Sequence, residues 1–167
     1  NPKRAFGQRG NQAPVTRMAT AALLRKGLIE TQNYMARKAK AAEKGEPFDI
    51  NLKWEQMIPV LERKAFLKAH AHRADDILTS IRIAKEFNLK MTLDHCTEGH
   101  LIADRLKQES YGALVGPTLM PASKVELQNK GFHTVVSLVK AGVKTAIVTD
   151  HPFVGIGLLT ISAGYSW

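Results

Sequence analysis

At 167 residues, with 44% hydrophobic and 23% charged side chains, the chain has the length and composition of a folded domain with a real core. Its +9 charge attracts polyanions, yet lysines and arginines are scattered, densest at Arg37-Lys38-Ala39-Lys40, without zinc-finger spacing, an RNA-binding aromatic motif or a helix-turn-helix, so no specific nucleic-acid partner is expected. One cysteine, Cys96, excludes an internal disulfide and suits a reducing cytoplasm, and the absence of a leader pattern or a run of about 18 apolar residues argues against secretion and membrane spanning.

Residues 1–15, with Pro2, Gly7, Gly10 and Pro14, read as a loop. Thr16 is placed to cap a long helix to about Ala42, with Met18, Ala21, Ala22, Leu24, Leu28 and Met35 at helical spacing. Glu43 to Asn51 is a polar linker, and a short helix over about Leu52 to Leu61 carries Pro59 near its end. From Phe66 the pattern turns regular. A strand ends at His70, a helix covers Ala74 to Glu86 and is closed by Asn88, and a strand runs Lys90 to Asp94. A helix follows from about Glu98 to Gln108, then a strand Gly112 to Gly116, a long connection Pro117 to Gly131, a helix Thr134 to Lys140 and a strand Val143 to Thr149. Phe153 to Trp167 gives no clear helix, although Ile156 to Ala163 can form a short turn.

Strand–helix alternation predicts an α/β fold with a parallel sheet. The spacing from one strand end to the next matches one strand plus a crossover helix. We expect about four parallel strand–helix units preceded by a long helix, a partial (β/α) barrel of TIM type. The complete eight-unit form usually needs about 250 residues.

The polar residues sit at strand ends, where such barrels build their sites. His70 and His72 form an H-x-H pair that shares a face if the strand continues. His95 follows Leu93-Asp94, and Asp94 either orients a histidine or points to the helix layer. Cys96 reads as a small buried side chain, since one cysteine without a second at metal spacing is a weak ligand signal. Asp150 closes the last strand, where a carboxylate can bind a metal and take a proton from its water, and His151 beside it can contact substrate. Lys124 and Glu126 on the long connection either reach the site or form a surface ion pair.

Lys68-Ala-His-Ala-His-Arg-Ala-Asp-Asp-Ile77 resembles the fifth-strand region of the metal-dependent amidohydrolases, most closely the imidazolonepropionase-like branch. Leu93-Asp-His-Cys-Thr-Glu-Gly99 resembles the sixth strand. Val115-Gly-Pro117 with Ser123-Lys-Val-Glu-Leu127 resembles the seventh, and Thr149-Asp-His-Pro152 the eighth. Asn1-Pro-Lys-Arg4 and Thr16-Arg-Met18 resemble the stretch after the fourth.

The resemblance implies hydrolysis of amide or lactam bonds by metal-activated water. It implies His70, His95 and Asp150 as ligands of Zn2+ or another divalent metal, and Asp150, His95 and His151 as catalytic groups. It also implies departures, because the first-strand H-x-H pair, the fourth-strand lysine or glutamate and the β-sandwich have no counterpart here. The expectation is a single domain over 1–167 that corresponds to the C-terminal half of the barrel: 1–62 precede strand five, and residues from 63 onward carry strands five to eight. Open sheet edges then predict a homo-oligomer. The competing expectation is an inactive fragment acting as a structural or binding protein.

Overall fold

The computed structural model describes residue 10 and residues 12–166. The reading of residues 1–9 as part of a loop, with the match at Asn1-Pro-Lys-Arg4, lies outside the described residues, as does Trp167. Packing divides the chain into two compact units. Of the described residues, one contains Lys68–Arg82 and residues 91–166, and the other contains residue 10, residues 12–67 and Ile83–Lys90.

The second unit is built on helix α1, Arg17–Lys44. Thr16 caps it as the sequence suggests, its Oγ1 accepting from the Ala19 amide at 3.0 Å. Gly45 ends it with φ 65°, and the Gly45 and Glu46 amides return to the Ala42 and Ala41 carbonyls. The buried residues of α1 are Leu28, Thr31, Tyr34 and Ala41, whereas Met18, expected on the apolar stripe, is 81% exposed. Helical spacing cannot tell which turns the core encloses: Leu28 is enclosed and Met18 is not.

The single helix expected over Leu52–Leu61 is two short ones, α2 (Leu52–Glu55) and α3 (Ile58–Leu61). Pro59 falls in the first turn of α3, where its missing N–H costs nothing, instead of near a helix end. The Tyr34 hydroxyl and the Lys38 ammonium both donate to Glu55 Oε1 at 2.6 Å, which ties α1 to α2.

The first unit holds a four-stranded sheet in the order β1 (Leu67–Ala71), β2 (Met91–His95), β3 (Gly112–Val115), β4 (Thr145–Ile147). β2–β3 and β3–β4 pair in parallel, with Asp94 opposite Leu114 and Leu114 opposite Ala146. Helix α4 (Ala74–Glu86) has its expected bounds. The helix expected from Glu98 begins instead as a 3-10 turn, Gly99–Ile102, and continues as α5 (Ala103–Glu109). Helix α6 (His133–Ala141) ends at Gly142 with φ 81° and packs on that 3-10 turn, α5 and β4. β4 is shorter than the expected Val143 to Thr149, and a 3-10 turn plus α7 (Leu159–Gly164) follow it. The architecture is therefore a partial (β/α) barrel of four parallel units preceded by a long helix, as expected.

Alternation along the strands assigns their faces. Leu93, Ala113 and Val115 are buried with Leu106 and Leu138 from the helices. The opposite face carries Lys68, Thr92, Asp94, Leu114 and Ala146, and is open to solvent at Lys68 and Ala146. Asp94 neither orients a histidine nor meets the helix layer. It pairs with Lys68 at 3.0 Å and accepts from the Thr92 hydroxyl at 3.1 Å. Among the described residues no helix is long and apolar enough to cross a membrane.

Cys96 is fully buried, and burial pushes its thiol up to about 12. A Cβ on Gly99 would come within 2.6 Å of its sulfur, so the thiol fills the space that glycine leaves. It is expected to resist thiol reagents in native protein at mildly alkaline pH and to react fully in denaturing urea, as mass spectrometry will show.

Candidate metal centre

The polar rim is assembled by backbone bonds between neighbouring strand ends. The Cys96 amide donates to the Ala71 carbonyl at 3.0 Å, and the Glu98 amide to the His72 carbonyl at 2.8 Å. Farther along, Val148 N–H donates to the Val115 carbonyl at 2.9 Å. Three non-glycine residues of the rim adopt left-handed backbone: His95 at φ 71°, Cys96 at φ 44° and Asp150 at φ 51°. His95 would otherwise follow Leu93 onto the helix-covered face. Its positive φ marks the point where the chain leaves the strand and the ring reaches the cleft.

His70, His72, His95 and Asp150 line one cleft of about 180 Å³. His151 does not line it. It lies on a neighbouring groove with Lys68 and Asp94, which Asp150 and His95 also reach. Of the two residues on the long connection, Lys124 lines the cleft and Glu126 is buried.

The three histidines form a hydrogen-bonded chain. His95 Nδ1 lies 2.6 Å from the Gly116 carbonyl, and His95 Nε2 lies 3.1 Å from His70 Nδ1. His70 Nε2 lies 3.1 Å from His72 Nε2, and His72 Nδ1 lies 2.9 Å from the Thr97 hydroxyl. A carbonyl only accepts, so His95 Nδ1 carries a proton. With all three rings neutral, every other proton is then fixed. His70 Nδ1–H donates to His95 Nε2, His72 Nε2–H donates to His70 Nε2, and the Thr97 hydroxyl donates to His72 Nδ1.

Electrostatics favour neutral rings at His70 and His72. Burial, then the neighbouring His95 and Lys124, pushes His70 down to about 4 against a weaker pull from Asp150 and Asp94. Burial and then Lys124 push His72 down to about 3. Both folded values lie below the ordinary 6.5, so the unfolded chain binds protons that the folded chain refuses. Stability is therefore full above about pH 6.5 and is lost as pH falls toward 4 and then 3. The expected slope is about one proton, roughly 1.4 kcal/mol per pH unit, since the more exposed His70 adds less. Urea midpoints of chelator-treated protein at stepped pH measure it.

The donor types suit a divalent cation: two imidazoles with neutral lone pairs and one carboxylate on a single cleft. Yet among the described residues no set of three His, Cys, Asp or Glu side chains is arranged to hold one. The hydrogen-bond chain gives the reason. His70 turns Nδ1 to His95 and Nε2 to His72, so the lone pairs of His95 Nε2 and His70 Nε2 face different neighbours and do not converge. Loading an ion requires His70 to release one of these contacts.

Sequence reasoning missed the supports of this rim. The sequence marks Thr97 only within a motif, Glu98 as a motif residue and helix start, and Thr134 as a helix start. The Thr134 hydroxyl donates its one proton to the Thr97 carbonyl at 3.1 Å and therefore accepts from His100 Nδ1–H at 2.9 Å. Glu98 is buried, accepting from the Ala74 amide and from Asn129 Nδ2, each at 2.8 Å. An acidic residue just past a strand end was the available signal for Glu98. Thr134 offered none.

Neither a family model nor a curated protein matches the sequence. Among solved structures, an amidohydrolase from Thermotoga maritima MSB8 matches at 40% identity with a TM-score of 0.94, over 99% of this chain and 43% of that one. The chain is therefore homologous to an amidohydrolase along nearly its whole length, and it spans less than half the length of that relative.

Proposed function

We propose that this chain carries part of the active site of a metal-dependent hydrolase that cleaves amide or lactam C–N bonds in small molecules, within the imidazolonepropionase-like branch. The observation that supports this most is the meeting of His70, His95 and Asp150 on one cleft at the strand ends. His70 and His95 would hold the cation through imidazole nitrogen and Asp150 through carboxylate. A bound divalent cation, zinc being the one this donor set suits, supplies a water whose pKa falls toward 7. Asp150 would be placed to receive a proton on its carboxylate, and His95 would keep its ring oriented through the Gly116 carbonyl. His151, on the adjoining groove, contacts a substrate oxygen. Zinc favours about four ligands, so three residues make a weak site until other groups complete it. The setting we propose is cytoplasmic.

Zinc titration by calorimetry tests this reading. His70→Ala, His95→Ala and Asp150→Ala are each expected to weaken binding at least about tenfold, while His100→Ala leaves it unchanged. Equal binding by all four variants overturns the reading. A second reading, a non-catalytic binding fragment, draws on the lack of a ready three-ligand set among the described residues. It gains if zinc does not bind at all.

We also propose that the protein self-associates. The outer strands β1 and β4 and the solvent-open Lys68–Ala146 face motivate it. Sedimentation that finds a compact monomer at low micromolar concentration would overturn it.

A further inference from the structure

The chain after β4 folds back on the core and still leaves large apolar side chains outside. Val154 and Ser162 are buried and anchor it, and α7 packs on β4. Tyr165 lays its ring against Phe132, with centroids 5.1 Å apart. Yet Ile156 is 62% and Tyr165 65% exposed, and Leu158 and Ile161 are exposed as well. None of these four lines the histidine cleft. Leu158, Ile161 and Tyr165 are spaced three and four apart, which sets them on one side of the turn and helix. Gly155, Gly157 and Gly164 lie among them with open space where a Cβ would stand, so another backbone can approach closely. From His151 to Trp167 the sequence has no lysine, arginine, aspartate or glutamate, although 23% of the chain is charged. The groove that adjoins this patch through Ile156 and Leu159 carries Asp150 and the mutually paired Lys68 and Asp94.

We propose that the face from Gly155 to Tyr165 docks on the same face of a second copy of this chain, forming a two-fold dimer. This rests on the self-association reading above and not on the hydrolase reading, and it names the C-terminal turn and helix, in place of the strand edges, as the contact. Charge selects the occupant. At +9, two copies repel wherever lysines and arginines meet, and on this face nothing repels. An anionic bilayer or a polyanion is held by lysines and arginines beside the apolar residues, and this segment has none. Area sets the strength. The exposed parts of the four side chains and their small neighbours leave roughly 500 Å² of apolar surface, at the upper end of what a monomer keeps open. A two-fold pair removes about 1,000 Å² from water, which is the lower limit of a specific contact and implies a dimer of micromolar stability. Tyr165 is already held by Phe132, so little side-chain freedom is lost on docking.

Sedimentation of the full chain from about 1 to about 100 µM tests this. A monomer–dimer equilibrium with a low-micromolar Kd is expected. It should tighten severalfold as sodium chloride rises from about 0.05 to about 0.5 M, because salt screens the repulsion and the contact has no ion pair to lose. Ile156→Lys and Ile161→Lys should each weaken it at least about tenfold by setting a charge into the contact. Met18→Lys, which makes the same change on the exposed first turn of α1, should leave it within about twofold. In the unsubstituted chain, the amides of residues 155–165 should exchange hydrogen more slowly as concentration rises. The proposal is overturned if the chain stays monomeric throughout, if Ile156→Lys and Ile161→Lys dimerise as the parent does, if Met18→Lys weakens the dimer equally, or if salt loosens it. Monomeric protein that floats with phosphatidylcholine vesicles also overturns it and makes a bilayer the occupant. A monomer at every concentration removes the self-association reading as well. Dimers that ignore Ile156→Lys and Ile161→Lys remove this face alone and leave association through the strand edges.

Discussion

Gly116→Ala is expected to destabilise the protein by about 3 kcal/mol or more and to disorder the histidine cleft. Gly116 has φ 137°, a torsion that side chains rarely adopt, and a Cβ there would overlap the carbonyl of Val148. That obstacle is backbone of the neighbouring strand end, so it cannot rotate away as a side chain can. The damage also reaches the rings. The Gly116 carbonyl accepts from His95 Nδ1 and thereby sets the direction of every proton between His95 and Thr97. A shift of a few tenths of an ångström weakens that bond and releases the tautomer. Urea midpoints give the stability loss, and the imidazole nitrogen shifts of His95 give the tautomer. Gly155→Ala is the control. Its φ is −56° and its Cβ would meet nothing within 4 Å, so a change within about 0.5 kcal/mol is expected. Equal behaviour of the two variants would contradict the geometry.

Glu98→Ala is expected to cost about 2–4 kcal/mol, with Glu98→Gln costing about 1 kcal/mol. The buried Glu98 carboxylate caps α4 at the Ala74 amide and holds Asn129 on the loop that carries Lys124. Its own amide fixes the carbonyl of His72. Alanine strands two donors and removes a negative charge from a helix N-terminus. Glutamine keeps an acceptor for one of the donors. The pair of variants separates loss of the hydrogen bonds from loss of the charge, and hydrogen exchange at Ala74 and Asn129 reports where the damage lies.

Much of the fold was legible because its signals are local. Ile77 and Ile81 lie four apart on a helix that has the expected bounds, and the alternating runs Leu67-Lys68-Ala69 and Met91-Thr92-Leu93 read as strands with one covered face. Three of the four strands end within one residue of the reading, and β4 ends two residues earlier than read, at Ile147. Features that depend on the fold as a whole were not legible. Met18 fits the helical stripe as well as Leu28 does, and only contact decides that one is exposed and the other buried. Pro59 is compatible with either end of a helix, and the break before Ile58 settles which. In the site, residue type and strand-end position pointed to His70, His72, His95, Asp150 and His151, and the family resemblance chose His70, His95 and Asp150 among them as ligands. No pattern in the chain indicates that His95 leaves its strand through left-handed backbone, or that His70 divides its nitrogens between two neighbours.

The left-handed torsions at His95, Cys96 and Asp150 bear on any attempt to engineer this protein. Each is a place where glycine would relax the main chain, by about 1 kcal/mol. At buried His95 and Cys96 that gain is set against lost packing, but the Asp150 side chain is exposed, so a screen that rewards heat tolerance will favour glycine at this proposed ligand. Under the proposed reading, variants enriched for robustness lose the Asp150 carboxylate first, so a selection that ignores metal content improves the scaffold at the expense of the proposed site.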